Sequence, residues 1–166
     1  MLFRMVFALS VVLEFIFVAW FLEASWPQNT RKSLALKMVC STLFVLAGVS
    51  AAGAANNTTQ FTFLILGGLL AGMLGDFFLH VSTKTAFSSV GLLCFLAGHL
   101  LFIGAFLLKQ REYLPELPLF SAFELIAAGV MFAAVVVLAV IKKVELHAAS
   151  VPVAFYAATL IVMFIK

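Results

Sequence analysis

Residues 61 to 81 read FTFLILGGLLAGMLGDFFLHV, an apolar run interrupted by few polar side chains. A helix needs about 20 mostly apolar residues to cross the hydrocarbon core of a bilayer, and this run is long enough to do so once. Lipid offers no hydrogen-bond partner to bare backbone groups, so a chain that crosses it must be helical or a closed barrel. The stretch therefore predicts a transmembrane helix and a protein of the all-α class.

The same pattern extends over the whole chain. Of its 166 residues, 65% are hydrophobic and 10% are charged, whereas soluble domains are about half apolar and a quarter charged. Polar interruptions separate apolar stretches at Phe3 to Glu23, Ser33 to Ala54, Phe61 to Val81, Ala86 to Lys109, Pro118 to Lys142 and Ser150 to Ile165. We therefore predict a single domain over residues 1–166, a polytopic integral membrane bundle of about six transmembrane helices, with antiparallel neighbours because the connections are short.

Charge and motifs exclude several classes of function. The net charge is +3, but the basic residues lie singly or in pairs between apolar runs, where they flank the spans, so no nucleic-acid partner is expected. Cys40 and Cys94 lie inside apolar runs, which favours two buried thiols over a disulfide. The sequence has no HExxH, GxSxG or P-loop motif and no Cys or His cluster with metal spacing. We expect neither a metal nor another cofactor.

Ionisable side chains at membrane depth are the candidates for function, because each costs about 2.5 to 3.5 kcal/mol on insertion scales. They are Glu14, Lys37, Asp76 and His99 within the predicted spans, with His80 and Glu124 closer to span ends. Asp76 and His80 are four residues apart, so on a helix they stack on one face and can hydrogen-bond or share a proton. The same spacing fits a histidine that only satisfies Asp76 near the interface.

Two readings stay open for each of the other candidates. Lys37 either snorkels to the interface or supplies a counter-charge for Asp76 or a ligand for a lipid phosphate. His99 is either a hydrogen-bonded core histidine or a catalytic one. Glu14 and Glu124 have no motif around them, and we interpret each as a paired or interfacial carboxylate.

A stripe of small residues precedes Asp76. Gly68 and Gly72 form a GxxxG pattern, which favours close packing of helices, within the chain or between copies in a homo-oligomer. A tightly packed helix would also be a rigid mount for the Asp76 carboxylate.

Several of these residues lie in longer matching stretches. The stretches read LALKMVCSTLFVLAG at 34–48, GLLAGMLGDFFLHV at 68–81 and GLLCFLAGHLLFIGAFL at 91–107. Together they resemble the YhhN family, which includes the lysoplasmalogenases. In that family a Gly-Asp dipeptide ends one helix and an Ala- or Gly-His-Leu run opens the core of the next, matching Asp76 and His99 here. The last stretch, VPVAFYAATLIVMFIK, is similar to a later helix of the family and places Tyr156 at its motif tyrosine.

The chain also departs from the family pattern. Many members have Lys-Pro where this chain has Lys37-Met38. Members usually continue into further helices, one of which carries a second intramembrane Asp in a Ser-Asp pair. The sequence stops before that segment, so we expect a truncated form, a missing C-terminal partner segment, or a short relative without the activity.

The resemblance implies hydrolysis of the vinyl ether bond of lysoplasmalogens, which are membrane lysophospholipids, to a fatty aldehyde and a glycerophospho-base. It implies Asp76 as one catalytic group, His80 or His99 as its partner, and Lys37 and Tyr156 as substrate-binding residues. We expect such an enzyme in a bacterial cytoplasmic membrane. The alternatives are a non-catalytic lipid-binding or scaffold subunit whose polar side chains join helices, and a proton-coupled transporter.

Overall fold

The computed structural model describes residues 1–25, 31–56, 59–82, 84–116, 118, 120–141 and 158–163. The helices are α1 (Leu2–Ser25), α2 (Arg31–Ala54), α3 (Gln60–Val81), α4 (Thr85–Tyr113) and α5 (Ala122–Ile141), and residues 158–163 are also helical. These described residues contain no strand. Helices α1 to α4 are each long and apolar enough to cross a membrane, which confirms the all-α membrane bundle. Of the sixth predicted stretch only 158–163 is described, and Tyr156 lies outside the described residues.

Helix α4 continues beyond the apolar stretch that predicts it. The stretch ends at Lys109, whereas the helix ends at Tyr113. The added residues include Gln110, Arg111 and Glu112, which are good helix formers. The helix then stops at Leu114, which has a φ of −137° and a ψ of 60°, because a residue that precedes a proline is biased away from the α conformation.

Helix α5 starts later than predicted because a capping box sets its first turn. The Ser121 backbone N–H donates to Glu124 Oε2 at 2.7 Å, and the Glu124 backbone N–H donates to Ser121 Oγ at 3.2 Å. This reciprocal pair satisfies two backbone donors that a helix start otherwise leaves open. Glu124 is therefore paired, as predicted, and its partner is the backbone at the helix start.

The helices pack in chain order, α1 on α2, α2 on α3 and α3 on α4. The tightest approach is between α3 and α4, where glycines seven residues apart on each helix, Gly68 and Gly75 against Gly91 and Gly98, are all buried. A Cβ at Gly98 would lie 3.0 Å from the carbonyl oxygen of Gly68, and one at Gly91 would lie 3.1 Å from that of Gly75. A Cβ at either position would push the neighbouring backbone away by a few tenths of an ångström, so glycine favours this close approach of the two helices.

The predicted GxxxG pair divides between two roles. A Cβ at Gly68 would meet the Phe102 ring at 2.4 Å, so this glycine is used for packing inside the chain. At Gly72 the nearest side-chain atom would be 4.0 Å away, on Phe95. Gly72 therefore leaves open space beside α3, one turn before Asp76.

Most buried residues of the described chain are small, with Leu36 and Ile161 as the large exceptions, and the outside carries large apolar side chains. Buried residues include Ser10, Ser33, Cys40, Ser50 and Ala105, while Phe15 is 75% exposed, Phe63 66% and Leu93 60%. Small residues let helix backbones approach closely in a bilayer, and lipid covers the large side chains. A water-soluble protein would not expose so much apolar area.

Candidate functional site

An ion pair joins α2 to α3. Lys37 Nζ lies 3.3 Å from Asp76 Oδ1, and the exposed fraction of the two side chains is 27% and 17%. The Ser41 hydroxyl donates a short hydrogen bond to the other carboxylate oxygen, Asp76 Oδ2. Both oxygens of Asp76 therefore have a donor from α2, and the counter-charge role predicted for Lys37 is the one seen.

Helix geometry explains this arrangement. Lys37 and Ser41 are four residues apart on α2, so both side chains reach the same face. At 1.5 Å per residue, Lys37 lies about 9 Å from the start of α2 and Asp76 about 8 Å from the end of α3. The neighbouring ends of the two helices thus bring both charges to the same depth, below the membrane surface.

The ion pair borders a cavity on its α4 side, which we call the Asp76 cavity. Its volume is about 270 Å³, and it is lined by Ser41, Phe44, Gly68, Leu69, Gly72, Met73, Asp76, Phe95, His99 and Phe102. The open space at Gly72 belongs to it, so this glycine lines the cavity that Asp76 enters. The cavity is mostly apolar, with polar groups only from three side chains. This combination suits a lipid-like molecule with a reactive polar bond.

The two candidate histidines differ in position. His99 lines the Asp76 cavity, and its Nδ1 is 2.6 Å from the Phe95 carbonyl oxygen of its own helix. His80 Nδ1 is 3.0 Å from the backbone carbonyl oxygen of Asp76, and its ring packs edge-on against Phe21. The spacing of Asp76 and His80 predicted a contact, but the contact is with the backbone of Asp76 and not with its carboxylate. His99 is thus the histidine that shares the Asp76 cavity.

On its α1 side the ion pair borders a second cavity, the Lys37 cavity. Its volume is about 310 Å³, and it is lined by Glu14, Val18, Phe21, Lys37, Cys40, Ser41, Phe44 and Asp76. Lys37 Nζ lies 5.3 Å from the Phe21 ring centroid, a cation–π distance. Ser41, Phe44 and Asp76 line both cavities, so the two cavities adjoin each other at Asp76.

A third, apolar cavity continues from the Lys37 cavity. Its volume is about 390 Å³, and it is lined by Phe7, Val11, Glu14, Phe15, Leu43, Phe44, Ala47, Gly48, Ala51 and Leu69. Glu14 is its one ionisable lining residue. Within the described part of the chain, Glu14 Oε2 is buried and has no hydrogen-bond partner, whereas the sequence predicted a paired or interfacial carboxylate.

The profile of the YhhN family matches residues 32–166. The chain belongs to the YhhN family. No curated protein and no solved structure matches the chain significantly.

The YhhN match begins at residue 32, so α1 and Glu14 lie outside it, while Lys37, Asp76 and His99 lie within it. Among the described residues, no group of three or more His, Cys, Asp or Glu side chains is placed to hold a metal ion. Sequence reasoning missed Ser41 as a partner of Asp76. Its spacing of four from Lys37 was the available signal, since any residue one turn from Lys37 faces the same neighbour.

Proposed function

We propose that this YhhN protein is a membrane-embedded hydrolase that cleaves the vinyl ether bond of lysoplasmalogens in a bacterial cytoplasmic membrane. The observation that carries the proposal is the Asp76 carboxylate, held by Lys37 and Ser41 and facing a mostly apolar cavity that His99 also lines. Family membership supports the substrate class. The products are a fatty aldehyde and a glycerophospho-base.

The surroundings of Asp76 suit a general base. The Lys37 ammonium and the Ser41 hydroxyl contact its two oxygens and hold the carboxylate in place. An ionised carboxylate in a chamber with apolar walls can take a proton from a water molecule that attacks a neighbouring carbon. His99 shares the chamber, and we assign it the role of orienting this water or the hydroxyl that it becomes.

Vinyl ether hydrolysis needs one proton donor and one proton acceptor. A proton is added to the alkenyl carbon that does not carry oxygen, and the other alkenyl carbon becomes an oxocarbenium ion. Water attacks that cation while Asp76 takes the proton of the water, and a hemiacetal forms. The hemiacetal returns its hydroxyl proton to the group that protonated the alkene, the carbon–oxygen bond to glycerol breaks, and the glycerol oxygen takes the proton from Asp76. Water is the only reagent consumed.

The test measures aldehyde release by the purified full chain in lipid vesicles that contain a lysoplasmalogen. We expect release by the wild-type protein and a loss of about 100-fold or more in Asp76→Asn, because the amide cannot accept the proton. Glu112→Gln, which changes an exposed carboxylate at the end of α4, serves as the matched control and should keep the wild-type rate. A lysolipid with a saturated ether should release nothing, since it has no alkene to protonate.

A second candidate is a scaffold role, which the helix-joining geometry of Lys37, Ser41 and Asp76 favours. In that case these side chains would act only as interhelical hydrogen-bond partners. The wild-type chain would then release no aldehyde, and Asp76→Asn would only lower the free energy of unfolding. Absence of release from folded wild-type protein would therefore replace the enzyme proposal with the scaffold.

A further inference from the structure

Glu14 is a carboxyl group inside the membrane bundle that has no role in the reaction described above. It lies near the middle of α1, about 18 Å along the helix from Leu2. Its Oε2 atom is buried and receives no hydrogen bond from any residue that the structure describes. A carboxylate that keeps its charge at this depth costs more than a neutral carboxylic acid does. A buried polar atom without a partner calls for an explanation in structure or function.

The position of Glu14 supplies that explanation. It is the one ionisable residue that lines both the Lys37 cavity and the apolar cavity. Asp76 lines the Lys37 cavity from the opposite helix, α3. Glu14 also lies close enough to Lys37 and Cys40 to interact with them electrostatically. Two carboxyl groups thus face one chamber from different helices.

Their environments differ in the way that acid–base chemistry needs. Asp76 has a cation and a hydroxyl donor on its oxygens, whereas Glu14 Oε2 has no donor. Two carboxyl groups with different surroundings are the usual basis for an acid and a base in one site. The geometry points to Glu14 as the proton donor of the reaction, the group that protonates the alkenyl carbon while Asp76 activates water. This inference rests on the proposed function.

The cavities that Glu14 lines agree with the order of atoms in the substrate. In a lysolipid the phosphate is nearest the surface, followed by the glycerol oxygen, the carbon that water attacks, the carbon that is protonated, and the alkyl chain. Asp76 does not line the apolar cavity, whereas Glu14 does, and apolar walls suit an alkyl chain. A donor that borders this cavity is on the chain side of the water-activating base, as the order of atoms requires.

The proton balance closes with these two residues. The Glu14 carboxylic acid gives its proton to the alkenyl carbon and becomes a carboxylate. Asp76 takes a proton from the attacking water. When the hemiacetal collapses, its hydroxyl proton returns to Glu14, and Asp76 protonates the glycerol oxygen as the carbon–oxygen bond breaks. Both side chains end in their starting forms.

The experiment compares Glu14→Gln, Glu14→Asp and Glu14→Ala in the full chain, with Glu23→Gln as the control on the same helix. We expect Glu14→Gln to lose about 100-fold in aldehyde release, because its amide has the shape of the acid but no proton to give. Glu14→Asp should keep part of the rate. Glu14→Ala should regain activity when formic acid is added, since a small acid can enter the space left by the side chain. A purely structural role would not give this rescue.

Infrared spectroscopy of the wild-type protein in vesicles provides a second readout that needs no substrate. We expect a carbonyl band of a protonated carboxylic acid that disappears in Glu14→Gln and stays in Glu23→Gln. If Glu14→Gln released aldehyde at the wild-type rate, or if the wild-type spectrum lacked the band, the role of Glu14 would be overturned. The proposed function would not be affected. No release by the wild-type protein would overturn both.

Discussion

Two lysine–carboxylate pairs in this protein differ in almost everything except their chemistry. Lys109 Nζ and Glu112 Oε2 are 2.7 Å apart, on one helix, and the Glu112 side chain is 56% exposed. Lys37 Nζ and Asp76 Oδ1 are 3.3 Å apart, on two helices, and the Asp76 side chain is 17% exposed. The two lysine side chains are about equally exposed, Lys109 at 25% and Lys37 at 27%, so the pairs differ in the exposure of their carboxylates.

The distance between the charged atoms does not indicate which of the two pairs matters more for stability. Both lysines also lie over aromatic rings, Lys37 over Phe21 at 5.3 Å and Lys109 over Tyr113 at 5.1 Å, so cation–π contact does not separate them. The two pairs differ in what each charge could bind if its partner were removed. An exposed ion exchanges its partner for water at little cost, whereas a charge inside a membrane bundle has no such replacement. Only the Lys37–Asp76 pair borders cavities that a substrate could enter.

The largest effect should follow from breaking the inner pair on one side. Lys37→Met leaves the Asp76 charge with Ser41 alone, and we expect the unfolding free energy to fall by about 3 kcal/mol. Aldehyde release should fall together with it, because the base loses its counter-charge. Unfolding in mixed detergent micelles measures the first effect, with Lys109→Met as the control. A Lys37→Met protein as stable as the wild type would show that the pair is not a buried one.

Replacing both charges separates stability from function in the same pair. Combining Lys37→Met with Asp76→Met leaves no unpaired charge, so the unfolding free energy should return to within about 1 kcal/mol of the wild-type value. Aldehyde release should stay absent. A double variant that remained as unstable as Lys37→Met would mean that Lys37 stabilises the fold through contacts other than Asp76.

A smaller effect is expected at the second donor of Asp76. Ser41→Ala removes a hydrogen bond to a charged acceptor, which contributes about 1.5 to 3 kcal/mol in general. We expect aldehyde release to fall by about tenfold, because a carboxylate with one donor fewer is held less firmly in place for attack on substrate. Ser41→Thr keeps the hydroxyl and should retain most of the rate. Equal losses in Ala and Thr variants would point to packing around residue 41 and not to the hydrogen bond.

The fold and half of the inner pair could be predicted from the sequence for simple physical reasons. An apolar run such as residues 61–81 predicts a membrane helix. The predicted start of this helix differs from the start of α3 by one residue, and the predicted end is the same. Asp76 was identified because a carboxylate in such a run is expensive. Its pairing with Lys37 was one of the open readings, and the structure shows which one holds.

Other features depend on the relative placement of helices, which spacing along one helix does not encode. Nothing in the sequence around Ser41 indicates a contact with Asp76, because that contact depends on how α3 packs against α2. Glu14 lies on a helix outside the family match, and its unpartnered oxygen becomes visible only when α1 packs on α2. His80 was expected to contact the carboxylate of Asp76, but its Nδ1 atom lies next to the backbone carbonyl oxygen of Asp76. By contrast, the Ser121 to Glu124 cap was readable as an S-x-x-E pattern and was overlooked.

The smallest effect should come from the outer pair, which makes it the reference for all the others. Glu112→Gln removes one charge from a pair three residues apart on an exposed helix end, and such pairs contribute about 0.2 to 0.5 kcal/mol. We expect the unfolding free energy and the rate of aldehyde release to stay at wild-type values within error, and the small stabilisation to vanish as salt is added. If Glu112→Gln instead destabilised the protein as much as Lys37→Met, the end of α4 would have to be shielded from water. The contrast between the two pairs would then lie in their distance from substrate and not in their solvation.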